Sequence, residues 1–136
     1  MILLDTSIII WFITGTPRLG AQARLRIDGA AAGELRVCAM SFWEIGMLMS
    51  KNRLALAISP AELAHSLERD ERFRIVPVDS AIAVDAGMLP QSIHGDPSDR
   101  LIIAASRLQA YPLLTSDAKI LAYAAQGHVQ AIDGRL

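Results

Sequence analysis

Apolar residues fall along this chain in two alternating rhythms. Short apolar runs at residues 2–5, 35–39, 73–76, 112–115 and 128–132 read as strands. Between them lie longer helical patterns near 6–13, 17–32, 41–51, 60–71, 80–89, 97–110 and 117–125. Strands that alternate with helices predict an α/β fold with a mainly parallel central sheet flanked by helices, in one domain over residues 1–136. Ser59-Pro60-Ala61-Glu62 predicts a helix start, because the serine hydroxyl can cap while proline suits the first helical position. Asp79, Asp96 and Ser116 read as caps by the same reasoning. Pro77 and Pro112 fall at strand ends, where a missing N–H is tolerated.

Residues 8–13 (Ile-Ile-Ile-Trp-Phe-Ile) are apolar all round. A helix of that kind either forms the centre of the core or keeps part of its surface for another chain, and the sequence leaves both open.

Composition narrows the class. With 136 residues and 52% hydrophobic content, the chain can bury a full core without a disulfide or structural metal. Cys38 is the only cysteine, which excludes an internal disulfide framework and suits a reducing cytoplasm. It stands in an apolar stretch and reads as a small buried hydrophobe. The apolar start has no basic flank, is interrupted by Asp5, and is shorter than the roughly 20 residues that span a bilayer. A soluble, cytoplasmic protein without membrane attachment is therefore expected. The net charge of −1 argues against a generally basic nucleic-acid-binding surface. Setting aside five acids that converge in the argument below (Asp5, Glu44, Asp96, Asp99 and Asp117) leaves 9 of the 14 acids against 13 Lys and Arg. An acidic hole filled by divalent cations and rimmed by Arg18, Arg24, Arg26, Lys51 and Arg53 remains compatible with a phosphodiester.

Three local sequences share one design, an apolar strand followed by an acid near the next helix start: Leu3-Leu4-Asp5-Thr6-Ser7, then Val37-Cys38-Ala39-Met40-Ser41-Phe42-Trp43-Glu44, then Leu113-Leu114-Thr115-Ser116-Asp117. A fourth acid, Asp99, opens another helix in Asp96-Pro97-Ser98-Asp99. In an open parallel sheet the carboxyl ends of the strands line one edge, and ligands bind there. Each acid also has an ordinary explanation as a capping or dipole-facing residue: Glu44 stands three after Ser41, Asp99 three after Asp96, and Asp117 can cap its own helix. Asp5 is harder to explain in that way, since it interrupts an apolar segment and is desolvated unless paired or metal-bound.

Carboxylate oxygens without a Cys or His cluster select a hard cation, Mg2+ with Mn2+ as a substitute, over zinc. Such ions keep waters, bind phosphate oxygens and support phosphodiester hydrolysis. The hydroxyls of Thr6, Ser7, Thr115 and Ser116 are placed to orient the acids, with ordinary helix capping as the alternative for Ser7 and Ser116.

The ordered set of these pieces resembles the PIN domain, and within it the VapC-type toxins of bacterial toxin–antitoxin pairs. It comprises Leu-Leu-Asp-Thr-Ser at 3–7, Ser-Phe-Trp-Glu-Ile at 41–45, His-Gly-Asp-Pro-Ser-Asp-Arg-Leu-Ile-Ile-Ala at 94–104 and Leu-Leu-Thr-Ser-Asp at 113–117. The resemblance spans nearly the whole chain. It implies a three-layer PIN-like fold, Mg2+-dependent endoribonuclease activity and inhibition by a cognate VapB-type antitoxin. It assigns the acidic site to Asp5, Glu44, Asp99 and Asp117, with Asp5 and Asp99 as direct metal ligands. Asp96 stays open between a cap and a water-mediated metal contact, and His94 between an RNA or outer contact and none. Ser98 departs from the aromatic usual in that motif, a change that bears on packing. Two apolar patches, residues 8–13 and Phe42, Trp43, Met47, Leu48 and Met49, motivate the expectation of a homodimer, alone or in a larger assembly with the antitoxin, with burial in the core as the alternative for each.

The competing reading is a catalytically silent interaction module on a PIN-like scaffold, against which the intact acids count. A phosphoaspartyl receiver lacks the second acid beside Asp5, and no Gly-rich loop follows a strand as a dinucleotide fold requires.

Overall fold

The computed structural model describes residues 1–136 except Ser92 and His94, so the expectation for His94 lies outside the described residues. The strands are β1 (Ile2–Leu4), β2 (Leu35–Cys38), β3 (Phe73–Val76), β4 (Leu113–Thr115) and β5 (Ala131–Asp133). The helices are α1 (Thr6–Thr14), α2 (Ala21–Asp28), α3 (Ala39–Ser50), α4 (Pro60–Arg69), α5 (Ser80–Gly87), α6 (Pro97–Gln109) and α7 (Ala118–Ala125). The sheet runs in the order β3-β2-β1-β4-β5, and all of its pairings are parallel. The chain therefore works outward from β1 to β3, then returns to the other side of β1 for β4 and β5. That reversal makes the carboxyl ends of β1 and β4 the switch point at which α/β sheets form their binding crevice.

Strand alternation divides the core in two. Ile2, Leu4, Leu35, Val37 and Leu114 face a cluster with Ile8, Ile9, Ile27, Ile45 and Leu63 from α1 to α4. Leu3, Cys38 and Leu113 face the other, with Ile82, Ala86, Ile120 and Tyr123 and a continuous buried stretch of α6 from Ile102 to Ala105. Helices thus cover both faces, the three layers expected from the pattern. Each fully buried Leu or Ile contributes roughly 1.5–3 kcal/mol relative to exposure.

Several boundaries differ from the sequence expectation. The helix predicted over 17–32 contracts to α2, because Leu19 N–H turns back to Thr16 and Gly29 closes the helix. Gly20, its N-cap, lies so close to the backbone of Leu136 that any Cβ would overlap it. The helix expected from residue 41 starts at Ala39, directly off β2, with Cys38 as an N-cap that makes no side-chain bond. Ser41 is therefore inside the first turn, and no Ser41–Glu44 capping box closes. The last strand begins at Ala131, later than predicted, because a turn at Gly127 (φ 89°) and the Tyr123–His128 ring contact occupy the preceding residues. The caps of α4, α5 and α6 form as expected: Ser59 accepts from Glu62 N–H, Asp79 from Ile82 N–H, and Asp96 from Ser98 and Asp99 N–H. Cys38 is buried. Among the described residues, no helix is long and apolar enough to cross a membrane.

Candidate metal centre

Asp5 is the first residue beyond β1, where the chain turns from strand into α1. It is only 5% exposed. One carboxylate oxygen accepts from Thr6 N–H at 2.8 Å, and the other from the Thr115 hydroxyl at 2.6 Å. Both partners are neutral, and no basic side chain among the described residues pairs with it. Burial pushes its pKa up to about 6, against the lowering effect of those two hydrogen bonds, and repulsion from Glu44 and Asp117 adds to the rise.

Asp117 follows β4 and caps α7, accepting from Lys119 N–H at 2.8 Å and Ile120 N–H at 3.3 Å. The cap is thus Asp117 and not Ser116, which was expected there. Ser116 pairs its hydroxyl with that of Ser7 at 3.0 Å, between the ends of β4 and β1. Thr115 works in two directions: its hydroxyl accepts from Asp117 N–H at 3.1 Å while donating to Asp5. The two strand ends at the switch point are therefore tied by hydroxyls on both sides of the acids.

Asp99 lies in the first turn of α6, partly buried, in the field of all the others. Its pKa rises to about 8, first through burial and then through repulsion by Asp5, Asp96, Asp117 and Glu44. Asp96 is exposed and acts as the α6 cap, with 2.9 Å to Ser98 N–H. Glu44 comes from the second turn of α3. It accepts the Ser98 hydroxyl at 2.8 Å. Ser41, one turn earlier, accepts the Thr6 hydroxyl at 2.9 Å, a buried contact between the first and second acid-bearing segments.

The structure thus brings Asp5, Glu44, Asp99 and Asp117 into one mutual field at the carboxyl edge of the sheet, with Asp96 at its margin. Two contacts were not expected from sequence. Ser98 bears on Glu44 as a hydroxyl donor, where only a packing change was foreseen; the available signal was a hydroxyl replacing an aromatic immediately before an acid. Ser41 was read as a cap and instead braces Thr6.

The donor set fits a hard divalent cation: a buried carboxylate hydrogen-bonded only by neutral groups, and three further acids whose charges oppose one another. Among the described residues, no three Asp, Glu, His or Cys side chains are already gathered tightly enough to clasp an ion.

The apolar patches resolve differently. Ile8 and Ile9 are core, while residues 10–13 are only partly buried. Phe42, Met47, Leu48 and Met49 are partly buried, and Trp43, next to Glu44, is 57% exposed. Of the basic residues expected on the rim, Arg18, Arg26, Lys51 and Arg53 are exposed. Arg26, however, lies beside Ile2 and Leu35 at the amino ends of β1 and β2, the edge opposite the acids, because α2 runs back along the sheet before β2 begins. Arg24 instead stacks over Phe12, 5.9 Å from the ring centre.

The PIN domain family model matches residues 2–126, a span that contains all four acids. Ribonuclease VapC22 of Mycobacterium tuberculosis is 34% identical over 119 residues, covering 88% of this chain and 88% of that protein. Similar solved structures include a toxin–antitoxin complex from Klebsiella pneumoniae, with a TM-score of 0.66 and 18% identity over 98% of each chain. FitAcB from Neisseria gonorrhoeae gives a TM-score of 0.66 at 20% identity, again over 98% of each chain. DNA-bound VapBC from Salmonella typhimurium gives 0.62 at 16% identity over 98% of each. At those identities the structures speak to the fold.

Proposed function

The chain belongs to the PIN domain family, and on that premise we propose that it is a VapC-type toxin, a Mg2+-dependent endoribonuclease that hydrolyses RNA phosphodiesters at Asp5, Glu44, Asp99 and Asp117. The observation that carries this reading is the buried Asp5 carboxylate, held by neutral donors within the field of the other acids. A relative named a ribonuclease, 34% identical over most of the chain, supports it.

Asp5 and Asp99 would hold the ion most directly, with Glu44 and Asp117 completing the anionic surround. When bound, Mg2+ supplies Lewis acidity toward a phosphate oxygen and makes water a stronger acid. The protein's own part is orientation and exclusion. Thr115 fixes one Asp5 oxygen and the Thr6 backbone the other. The buried edge between β1 and β4 keeps bulk water from Asp5. Burial and the neighbouring acids push the Asp99 pKa up to about 8, and a cation bound beside it would favour its ionised form. Of the exposed basic residues, Arg18 is offered to the RNA backbone, because the adjoining Gly20 is bonded to Gly134 beside the end of β4.

The natural partner in this reading is a VapB-type antitoxin, and a homodimer is the working assembly. The exposed Trp43, with Phe42 and Met47 on the same helix as Glu44, offers an apolar seat beside the acids. An amphipathic antitoxin segment lying there would place an Arg or Lys among the carboxylates and compete with Mg2+.

Purified protein should cleave RNA with Mg2+ or Mn2+, lose cleavage in EDTA, and regain it when metal is restored. Cleavage unaffected by EDTA, or no cleavage of any cellular RNA with metal present, would remove the reading. Light scattering of the isolated chain tests the dimer, and titrating a candidate antitoxin into the cleavage assay tests inhibition.

A further inference from the structure

The four acids are not supported alike. Asp5 and Asp117 are short side chains at helix starts, and each accepts hydrogen bonds from uncommitted backbone N–H groups of its own helix. Glu44 has no such support. It stands inside α3, where each N–H is committed to the carbonyl four residues back. Its longer side chain has more rotamers to lose than an aspartate. The hydrogen bond recorded for its carboxylate comes from the Ser98 hydroxyl, across from α3 to α6.

Ser98 is suited to that part. It is 3% exposed, so its hydroxyl needs an acceptor within the protein. Its backbone is fixed by Asp96, which accepts Ser98 N–H at 2.9 Å, and Pro97 restricts the chain just before it. Its hydroxyl donates to a carboxylate at 2.8 Å, a charge-assisted bond. Ser98 also directly precedes Asp99, so one residue couples the acid of α6 to the acid of α3. One Glu44 oxygen is engaged, and the other is left for a cation.

We propose that Ser98 is a positioning residue: its hydroxyl fixes the Glu44 carboxylate in a metal-accepting orientation before the ion arrives. This rests on the four-carboxylate reading above and adds to it a residue outside the acids. Asp96 then acts at one remove, by holding Ser98 in place.

The test is Ser98→Ala, which removes one atom and keeps the helix. Mn2+ binding followed by calorimetry gives a readout independent of catalysis. Loss of an outer hydrogen-bond partner to a metal-binding carboxylate weakens metal affinity by about tenfold or more. The expected result is a folded Ser98→Ala protein with Mn2+ affinity lower by about that factor. RNA cleavage should need correspondingly more Mg2+, with the KM for RNA unchanged. In a Glu44→Ala background, Ser98→Ala should change Mn2+ affinity by less than about twofold, because the two residues act through one another. Mn2+ affinity of Ser98→Ala equal to that of the wild type overturns the inference, as does an equally large loss that persists without Glu44. Wild-type protein that binds Mn2+ yet cleaves no RNA would remove the ribonuclease reading and leave the Ser98 result standing. Wild-type protein that binds no Mn2+ overturns both.

Discussion

The two ends of α6 handle charge in opposite ways. In its last turn, Arg107 donates to both oxygens of Asp85 on α5, at 2.9 and 3.3 Å, and to the carbonyl of His128 at 2.7 Å. Every charge there meets its complement. In its first turn, Asp99 faces Asp5, Glu44 and Asp117, and the hydrogen bonds recorded for Asp5 and Glu44 come from hydroxyls and a backbone N–H. The same contrast holds beyond α6, for Asp70 is matched by Arg72 at 2.6 Å and Asp133 by Arg135 at 2.8 Å. Arginines are thus placed against acids elsewhere on this chain, while Asp5 is held by neutral groups alone. An acid paired with arginine is held in its charged form, whereas the acids at this edge raise one another's pKa.

Breaking the acidic end should have the largest effect. Asp5→Asn or Asp99→Asn keeps shape and removes one anionic ligand, so RNA cleavage should fall by orders of magnitude while the far-ultraviolet circular dichroism stays native. Wild-type rates from purified Asp5→Asn protein would end the assignment. Thr115→Val is a subtler break. It preserves shape and deletes the hydroxyl that lowers the Asp5 pKa, so cleavage should drop by about tenfold. The acid limb of its pH–rate profile should move to higher pH, which a profile measured at saturating Mg2+ checks.

The contrast sharpens with pH. Asp5 and Asp99 have folded pKa values raised from 3.8 to about 6 and about 8. Between the unfolded and folded values the native state binds more protons than the unfolded chain, so stability falls as pH rises. In EDTA the melting temperature should therefore decline from pH 4 toward pH 8, through the window set by those shifts. Asp99→Asn should flatten the upper part of the decline, and Mg2+ should restore most of the loss at pH 8 and little at pH 5. A metal-free melting temperature that climbs steadily over this range would contradict the account. At the other end of the helix, Arg107→Ala should cost only about 1–3 kcal/mol by denaturant unfolding and leave the metal dependence of cleavage unchanged.

How much of this was legible beforehand differs between elements. The strand and helix positions and the mainly parallel sheet follow from apolar runs alternating with helical patterns, whereas the strand order β3-β2-β1-β4-β5 depends on crossovers that no local pattern fixes. Asp5 and Asp117 each follow a strand and Asp99 opens a helix, so placing those elements placed three of the proposed site acids, while Glu44 stands a turn inside α3. Contacts between segments were not legible. Nothing local in Ser98 reveals that its hydroxyl meets Glu44, since that depends on α3 packing against α6. Ser41 misled for a related reason: three residues before a glutamate is a capping spacing, but β2 enters α3 without a loop and carries the serine past the cap position. The extent of α2 was obscured because an Ala- and Arg-rich stretch favours helix well beyond the point where Gly29 stops it.

The central place of β1 has a consequence for the order in which this molecule comes into being. Synthesis delivers Asp5 first, yet its hydroxyl donor Thr115 lies 110 residues later, and the Ser7–Ser116 pairing spans 109. A chain still emerging from the ribosome can form β1, β2 and β3 with the helices between them, because those elements end at Val76, well before β4. It cannot form the acid cluster until β4 slides in beside β1. Closure of so distant a pair is slow relative to local structure, so the centre is assembled in one late step. The half-made chain meanwhile offers the bare flank of β1 as a place where an early partner, or another unfinished strand, could dock first.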